Sequence, residues 1–319
     1  MRILSGIQPS GTIHIGNYFG MMKPAMELSR KGDAFLFIAD YHALTVLPEP
    51  AQLRERVRNV AVDFIACGLT EDTIFFKQSD IRAIPELTWL LSCVTPMGLL
   101  ERCHSYKDKI AHGMSPNHGL FAYPVLMASD ILIYKSNIVP VGKDQKQHVE
   151  VARDIAQRFN NKYGENILVI PEPQIRDDVA VVPGTDGQKM SKSYGNTIEL
   201  FGPEKEIKKK FMGIKTDSTP LEEPKDPEKC PVFALYKLFA SKDQLETMEA
   251  NYRRGGYGYG HAKKELFEVF WEHFRPYRLR RDELLKDMSY VDSFLKKGAE
   301  KANAVAEATM KQVRESVGL

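Results

Sequence analysis

The sequence predicts a doubly wound α/β domain followed by a second, all-helical domain, and three observations carry that expectation. Short, nearly all-apolar runs alternate with helical text up to about Ile170, the pattern of a parallel sheet covered on both faces. From Pro203 onward the text offers helical patterns and no convincing strand. Between the two lies a glycine-punctuated loop, "PGTDGQKMSKSYGN", Pro183 to Asn196. No internal repeat or low-complexity segment interrupts this order.

Taken in order, the strand-like runs are "RILSGI" (Arg2 to Ile7), "AFLFIAD" (Ala34 to Asp40), "TIFFKQ" (Thr73 to Gln78), "NIVPVG" (Asn137 to Gly142) and "ILVI" (Ile167 to Ile170). Helical stretches such as "PAQLRERVRNVAVDFIACG", "YPVLMASDILIY" and "QKQHVEVARDIAQRFNNKYG" separate them. In such a sheet a ligand binds beyond the carboxyl ends of the strands. The second domain is expected to begin near Gly202, with a linker rich in proline and acid, "TDSTPLEEPKDPEKCP", inside it.

A chain of 319 residues supports two domains. Its 43% hydrophobic and 27% charged residues are those of an ordinary soluble globular protein. With a formal net charge of +2, any nucleic-acid binding must come from local patches. Cys67, Cys93, Cys103 and Cys230 form no C-x-x-C pair, which argues against zinc, iron–sulfur ligation and a disulfide framework. Cys67 and Cys93 sit in apolar helical text and read as core residues. The N-terminus turns within a few residues and has no long apolar region, so a cytoplasmic protein without a membrane span is expected.

Two stretches carry chemistry. Lys189 and Lys192 lie three residues apart in the loop flanked by Gly184, Gly187 and Gly195. A mobile loop with fixed positive charge suits an anion, phosphate above all. The second stretch, "SGIQPSGTIHIGNYFG" (Ser5 to Gly20), follows the first strand. A helix expected to start around Ile15 to Asn17 would point its free N–H groups at the top of the sheet, with His14 and Asn17 placed to donate to an anion. Its spacing is neither G-x-G-x-x-G nor a Walker A loop, and an ordinary βα turn could carry the same glycines.

Together, "HIGN" and "KMSKS" resemble the paired signatures of the class I aminoacyl-tRNA synthetases. Only Asn17, in place of His, departs from the first. The longer texts "YPVLMASDILIY", "VPVGKDQKQHVEVARDIAQRFN" and "GAEKANAVAE" extend the likeness over nearly the whole chain, to the bacterial tryptophanyl-tRNA synthetase family.

The resemblance implies a Rossmann-like catalytic domain over residues 1–200. A helical anticodon-binding domain over 201–319 would follow, its last helix packing back on the first domain. The implied activity joins L-tryptophan to ATP, releasing pyrophosphate, and then moves the tryptophanyl group to tRNA(Trp). ATP would come with Mg²⁺, held chiefly by phosphates and water, and the family works as a homodimer. By the same resemblance Gln8, Pro9, Ser10, Gly16 and Asn17 line the nucleotide, with His14 near the phosphates. Lys189, Met190, Ser191, Lys192 and Ser193 form the loop over them. Gly142, Lys143 and Asp144 fall at the ribose and adenine side, Val181 beside the base, and Lys109 is a further phosphate ligand. Lys143 stands where the family usually has an acid, which puts its side-chain role in doubt.

Asp130 lies inside a helix otherwise apolar on every face, and a buried carboxylate needs a partner. Either a neighbouring group supplies it, or it arrives with the substrate as an indole N–H. Met127, Val139 and Val141 would form apolar walls. Gln145 and Gln8 would hold the amino acid's polar end, and His42 sits near the site by resemblance. Tyrosyl-tRNA synthetases share the fold and both signatures, but they typically want a tyrosine on the first strand, where this chain has Leu4. Two basic clusters, Lys205 with Lys208, Lys209 and Lys210, and Arg275 with Arg278, Arg280 and Arg281, are candidate tRNA contacts. "NYRRGGYGYGH" (Asn251 to His261) is a further candidate. A binding protein without catalysis and a nucleotidyltransferase acting on another carboxylate remain alternatives.

Overall fold

The computed structural model describes residues 2–30, 32–103, 117–142, 145–175 and 182–319. Five parallel strands form the sheet: β1 (Arg2–Ile7), β2 (Asp33–Ile38), β3 (Ile74–Lys77), β4 (Ile138–Val141) and β5 (Glu172–Ile175), in the order β3-β2-β1-β4-β5. β1 and β2 run in register from Arg2↔Asp33 to Ile7↔Ile38. The paired residues of β1 and β4 are Ile3 and Ile138, near the start of both strands. Toward their carboxyl ends these two strands are free to diverge. This is where the strand order reverses, the place where doubly wound sheets open a crevice.

The expected fifth strand over Ile167 to Ile170 is a correction: β5 begins at Glu172. Asn160 takes the backbone of Leu168 out of any ladder, accepting from its N–H at 3.0 Å and donating to its carbonyl at 2.8 Å. Leu168 is buried for packing, and the edge position goes to "EPQI", where Pro173 is tolerated.

The helices of the first region are α1 (Ile15–Asn17), α2 (Lys23–Ser29), α3 (Asp40–Ala43), α4 (Pro50–Ala66), α5 (Ala83–Ser92), α6 (Met97–Glu101), α7 (His118–Ile133) and α8 (Lys146–Tyr163). The second region comprises α9 (Glu204–Met212), α10 (Pro231–Tyr236), α11 (Lys242–Arg254), α12 (Tyr259–His273), α13 (Arg275–Lys286) and α14 (Ser289–Val317). One apolar cluster joins α4 and the sheet to Phe211, Phe233, Phe270 and Phe274. The other lies on the opposite face of the sheet, with α5, α7, α8 and part of α14.

Three contacts fix how the helical region sits. Arg281 on α13 donates to Asp63 Oδ1 on α4 at 2.7 Å and to Asn59 Oδ1 at 3.3 Å. Burial pushes the Asp63 carboxyl up to about 6, with Arg281 opposing that shift. The long α14 lies against β3, where a Cβ on Gly298 would come within 1.9 Å of the Phe75 carbonyl oxygen. That contact requires glycine. Arg314 then clamps Glu86 of α5 with two bonds of 2.7 and 2.6 Å.

The proline- and acid-rich linker is ordered around a buried lysine. Lys225 Nζ donates to the carbonyls of Pro220, Leu221 and Glu223. Cys93, expected in the core, is exposed, while Cys67, Cys103 and Cys230 are buried. It follows the last turn of α5, past the face that packs on the sheet. No described helix is long and apolar enough to cross a membrane.

Candidate active site

The two sequence signatures meet. Ile15 N–H donates to the Ile198 carbonyl at 2.9 Å and Leu200 N–H to the Ile13 carbonyl at 3.0 Å. The turn after β1 is thereby paired with the chain leaving the lysine loop. Gly16 faces this seam, its N–H 3.3 Å from Met190 Sδ. A Cβ there would lie 3.0 Å from His14 Nδ1 and 3.2 Å from Met190 Cβ. Met190 is buried in this seam while Lys189 and Lys192 on either side of it stay exposed.

His14 and Asn17 serve each other first. His14 Nδ1 accepts from Asn17 N–H at 3.2 Å and Asn17 Oδ1 accepts from His14 N–H at 3.3 Å, a reciprocal cap on α1. What the cap leaves uncommitted for the expected anion is His14 Nε2 and the Asn17 amide nitrogen. Burial above all, and then the Lys192 charge, holds the His14 imidazole down at about 4. It is neutral at pH 7, and since Nδ1 accepts, its proton sits on Nε2.

The lysine loop is pinned from inside. Asn196, 2% exposed, accepts from Ser191 N–H at 2.8 Å and donates to Asp186 at 2.7 Å and to the Lys189 carbonyl at 3.1 Å. Gly184 makes room for it, because a Cβ there would come within 2.4 Å of the Asn196 amide. Lys192 Nζ reaches across to Ser10 Oγ at 3.4 Å. Partial burial of that ammonium end lowers its pKa, with Arg56 adding to the effect and Glu199 opposing it, although the residue as a whole is exposed. Glu199 itself is held by Lys210 through two bonds of 2.6 and 2.5 Å. Gln8 and Ser10 are exposed beside this seam and Pro9 is buried. Ser193 lies exposed one residue beyond Lys192.

Below the crevice the polar partners of Asp130 come from the protein itself. Asp130 is 1% exposed. His42 Nε2 lies 2.8 Å from its Oδ2, and Gln78 Nε2 donates to Oδ1 at 2.8 Å and Oδ2 at 2.9 Å. Burial raises the carboxyl pKa while the His42 and Gln78 bonds oppose the rise. Gln8 ties the nucleotide-side turn to this network by donating to the His42 carbonyl at 3.3 Å. The carboxylate therefore does not wait for a partner; it has two, with acceptor capacity left.

Met127 and Val141 are half-buried and Val139 and Leu4 fully buried, all in the one apolar cluster on this face of the sheet. Gln145 occupies the N-cap position of α8 without a side-chain capping bond, its N–H donating to the carbonyl of exposed Gly142 at 3.0 Å. Lys109, Lys143, Asp144 and Val181 lie outside the described residues. Sequence reasoning missed Gln78, Asn196 and Tyr123, whose hydroxyl lies 2.6 Å from His148 Nε2 and whose ring stands edge-on to His42. For Gln78 no periodic signal exists; for Asn196 the Gly195-Asn196 ending of the loop was the available cue.

The arrangement offers two lysines on a loop paired with the turn after β1, one of them reaching Ser10, together with a buried acceptor, Asp130. Residues 1–275 match the family described as tRNA synthetases class I (W and Y). A tryptophan–tRNA ligase of Fusobacterium nucleatum is 53% identical over 100% of this chain and 98% of its own. One from Rhodopirellula baltica is 52% identical, with both chains covered completely. The crystal structure of Campylobacter jejuni tryptophanyl-tRNA synthetase, complexed with ADP and tryptophan, superposes with a TM-score of 0.96 at 49% identity over 100% of both chains. With a matching family over most of its length and relatives this similar end to end, the chain belongs to the class I tRNA synthetases of the tryptophan and tyrosine group.

Proposed function

We propose that the chain is a tryptophan–tRNA ligase that activates L-tryptophan with ATP and esterifies tRNA(Trp). The observation that carries this is the seam between the turn after β1 and the lysine loop, in a chain that also holds a buried acceptor, Asp130, within a largely apolar helix. In the first step the substrate's own carboxylate attacks the α-phosphorus, and the bond to the β-phosphate's bridging oxygen breaks. The protein supplies position and positive charge rather than a nucleophile.

Lys189 and Lys192 would take the leaving pyrophosphate, while Gln8, Pro9, Ser10, Gly16 and Asn17 line the nucleotide and His14 Nε2 donates to a phosphate oxygen. Lys109, Gly142, Lys143, Asp144, Met190, Ser191, Ser193 and Val181 complete the ATP contacts of this proposal. Magnesium would enter with the triphosphate, held by its oxygens and water. Among the described residues no group of three or more His, Cys, Asp or Glu could hold a metal ion. Asp130 would accept the indole N–H between Met127, Val139 and Val141, with Gln145 and Gln8 on the amino and carboxyl groups.

In this proposal residues 1–200 activate the amino acid and 201–319 bind the anticodon arm. A homodimer in the cytoplasm is part of it. Exposed Leu44, Val46 and Leu47 after α3 and exposed Trp89 on α5 are consistent with a covered face on the catalytic region.

The test is ATP–pyrophosphate exchange with each proteinogenic amino acid. Exchange with tryptophan alone supports the proposal. Exchange with tyrosine would preserve the chemistry and overturn the pocket assignment, and no exchange would overturn both.

A further inference from the structure

Gln78 ends β3 in a short turn and is 0% exposed. Its amide is used on both sides. Oε1 accepts from the N–H groups of Tyr41 at 3.1 Å and His42 at 3.4 Å, while Nε2 donates to both oxygens of Asp130. The direction of the amide is fixed by these partners, since backbone donors can face only its oxygen and a carboxylate only its nitrogen. Gln78 thus ties three elements together: the turn after β3, the start of α3 and the last turn of α7.

The consequence falls on Asp130. A carboxylate offers about four lone-pair directions. Three are taken, one by His42 and two by Gln78. Both Gln78 bonds use the oxygens as acceptors and favour the ionised carboxylate. His42 and Asp40 from α3 are the other titratable groups that act on it, and Tyr134, just past the end of α7, feels its charge in turn. The one direction left on the carboxylate is on Oδ1, where a further hydrogen-bond donor can bind.

We propose that Gln78 is the positioning residue for substrate selection, holding Asp130 as an acceptor on both oxygens so that a ring N–H is recognised and an isostere without one is rejected. This rests on the tryptophan assignment above. Gln78 touches no substrate; it acts through Asp130.

The experiment compares kcat/KM in pyrophosphate exchange for tryptophan and for its analogue with sulfur in place of the ring N–H. Three proteins are measured: unsubstituted, Gln78→Met and Gln78→Glu. In Gln78→Met the preference for tryptophan falls about tenfold, with the analogue's own value moved less than about twofold. Gln78→Glu keeps the shape but trades the amide donor for a carboxyl group, which donates to Asp130 only when protonated. Its preference is therefore close to that of the unsubstituted protein at about pH 6 and is lost toward about pH 8. Parallel loss for both substrates, or a preference independent of pH in Gln78→Glu, overturns the proposal. If the unsubstituted protein activates both equally, the assignment of Asp130 to the indole fails first.

Discussion

The crevice and the helical region treat positive charge in opposite ways. Among the described residues Lys189 and Lys192 have no ion-pair partner, although Lys192 is partly buried and faces Ser10. In the helical region the cations suggested by the sequence are largely spoken for. Arg281 is bonded to Asp63 in the interface. Arg278 lies 3.5 Å over the Trp271 ring and donates to its carbonyl. Lys210 serves Glu199, and Arg275 and Arg280 pair with Glu272 and Glu283. The open groove beside α10, α11 and α12 is lined by Asp243, Glu265, Glu268 and Glu272, the wrong sign for phosphate. A run of basic letters therefore marks structure unless the charges are left unpaired, and an ammonium without a carboxylate is the better sign of a ligand.

That contrast breaks first at Lys192. Lys192→Ala should lower the rate of tryptophan-dependent exchange by about a hundredfold or more, with KM for tryptophan little changed, because in the proposed reaction its charge would serve the departing pyrophosphate. Arg278→Ala should leave the rate within a few-fold. Comparable losses in both would erase the distinction between free and satisfied cations. Asp130→Ala comes next. It removes the acceptor and strands the donors of Gln78 and His42, so tryptophan kcat/KM should fall by roughly tenfold to a hundredfold. The melting temperature should fall as well, which circular dichroism would read.

The interface gives a pH signature of opposite sign to that of the site. The Asp63 carboxyl is raised by burial from its ordinary value to about 6. Its folded form therefore holds a proton more tightly than the unfolded chain. Stability from this group is greatest below about pH 4 and declines through about pH 6, by on the order of 3 kcal/mol. His14, lowered to about 4, behaves the other way: its contribution is complete above about pH 6.5 and is lost as pH falls toward 4. Urea unfolding of Asp63→Asn beside the unsubstituted protein across this range isolates the first term. A difference that did not change with pH would show Asp63 ionised throughout, held by Arg281. Arg281→Ala, which leaves that carboxyl unpaired, should cost about 3 kcal/mol at pH 7.

How much of this was legible follows from the kind of signal each part gives. Four strands and the paired signatures are local patterns, an apolar run or a fixed spacing of glycine and lysine, and the structure keeps them. Asp130 stood out because a carboxylate in an apolar helix is costly alone. Its partner Gln78 did not, since a single glutamine in "FFKQSD" looks like any strand end. The bond spans 52 residues of sequence. The strand placed at Ile167 was lost to a side chain of the preceding helix, a competitor for the backbone that hydrophobicity does not reveal. The arginine cluster failed for the same reason: pairing is a tertiary fact.

The smallest effect lies at the cations that remain. Lys205 and Lys209 project from α9 fully exposed, on the side opposite buried Ile207 and Phe211. If the helical region meets tRNA, these are positions where phosphate contact is still available. Each such contact contributes to the slope of log affinity against log salt by about 0.7 to 0.9. Lys205→Ala and Lys209→Ala should each shallow that slope by about that amount and weaken binding severalfold at low salt, with pyrophosphate exchange unchanged. Arg278→Ala, whose guanidinium is already stacked on Trp271, should leave the slope as it was. Filter binding of tRNA(Trp) over a salt series separates the two. An equal change in all three variants would mean that the arginine leaves its ring when RNA arrives, and that pairing in the free protein does not decide which charges the RNA meets.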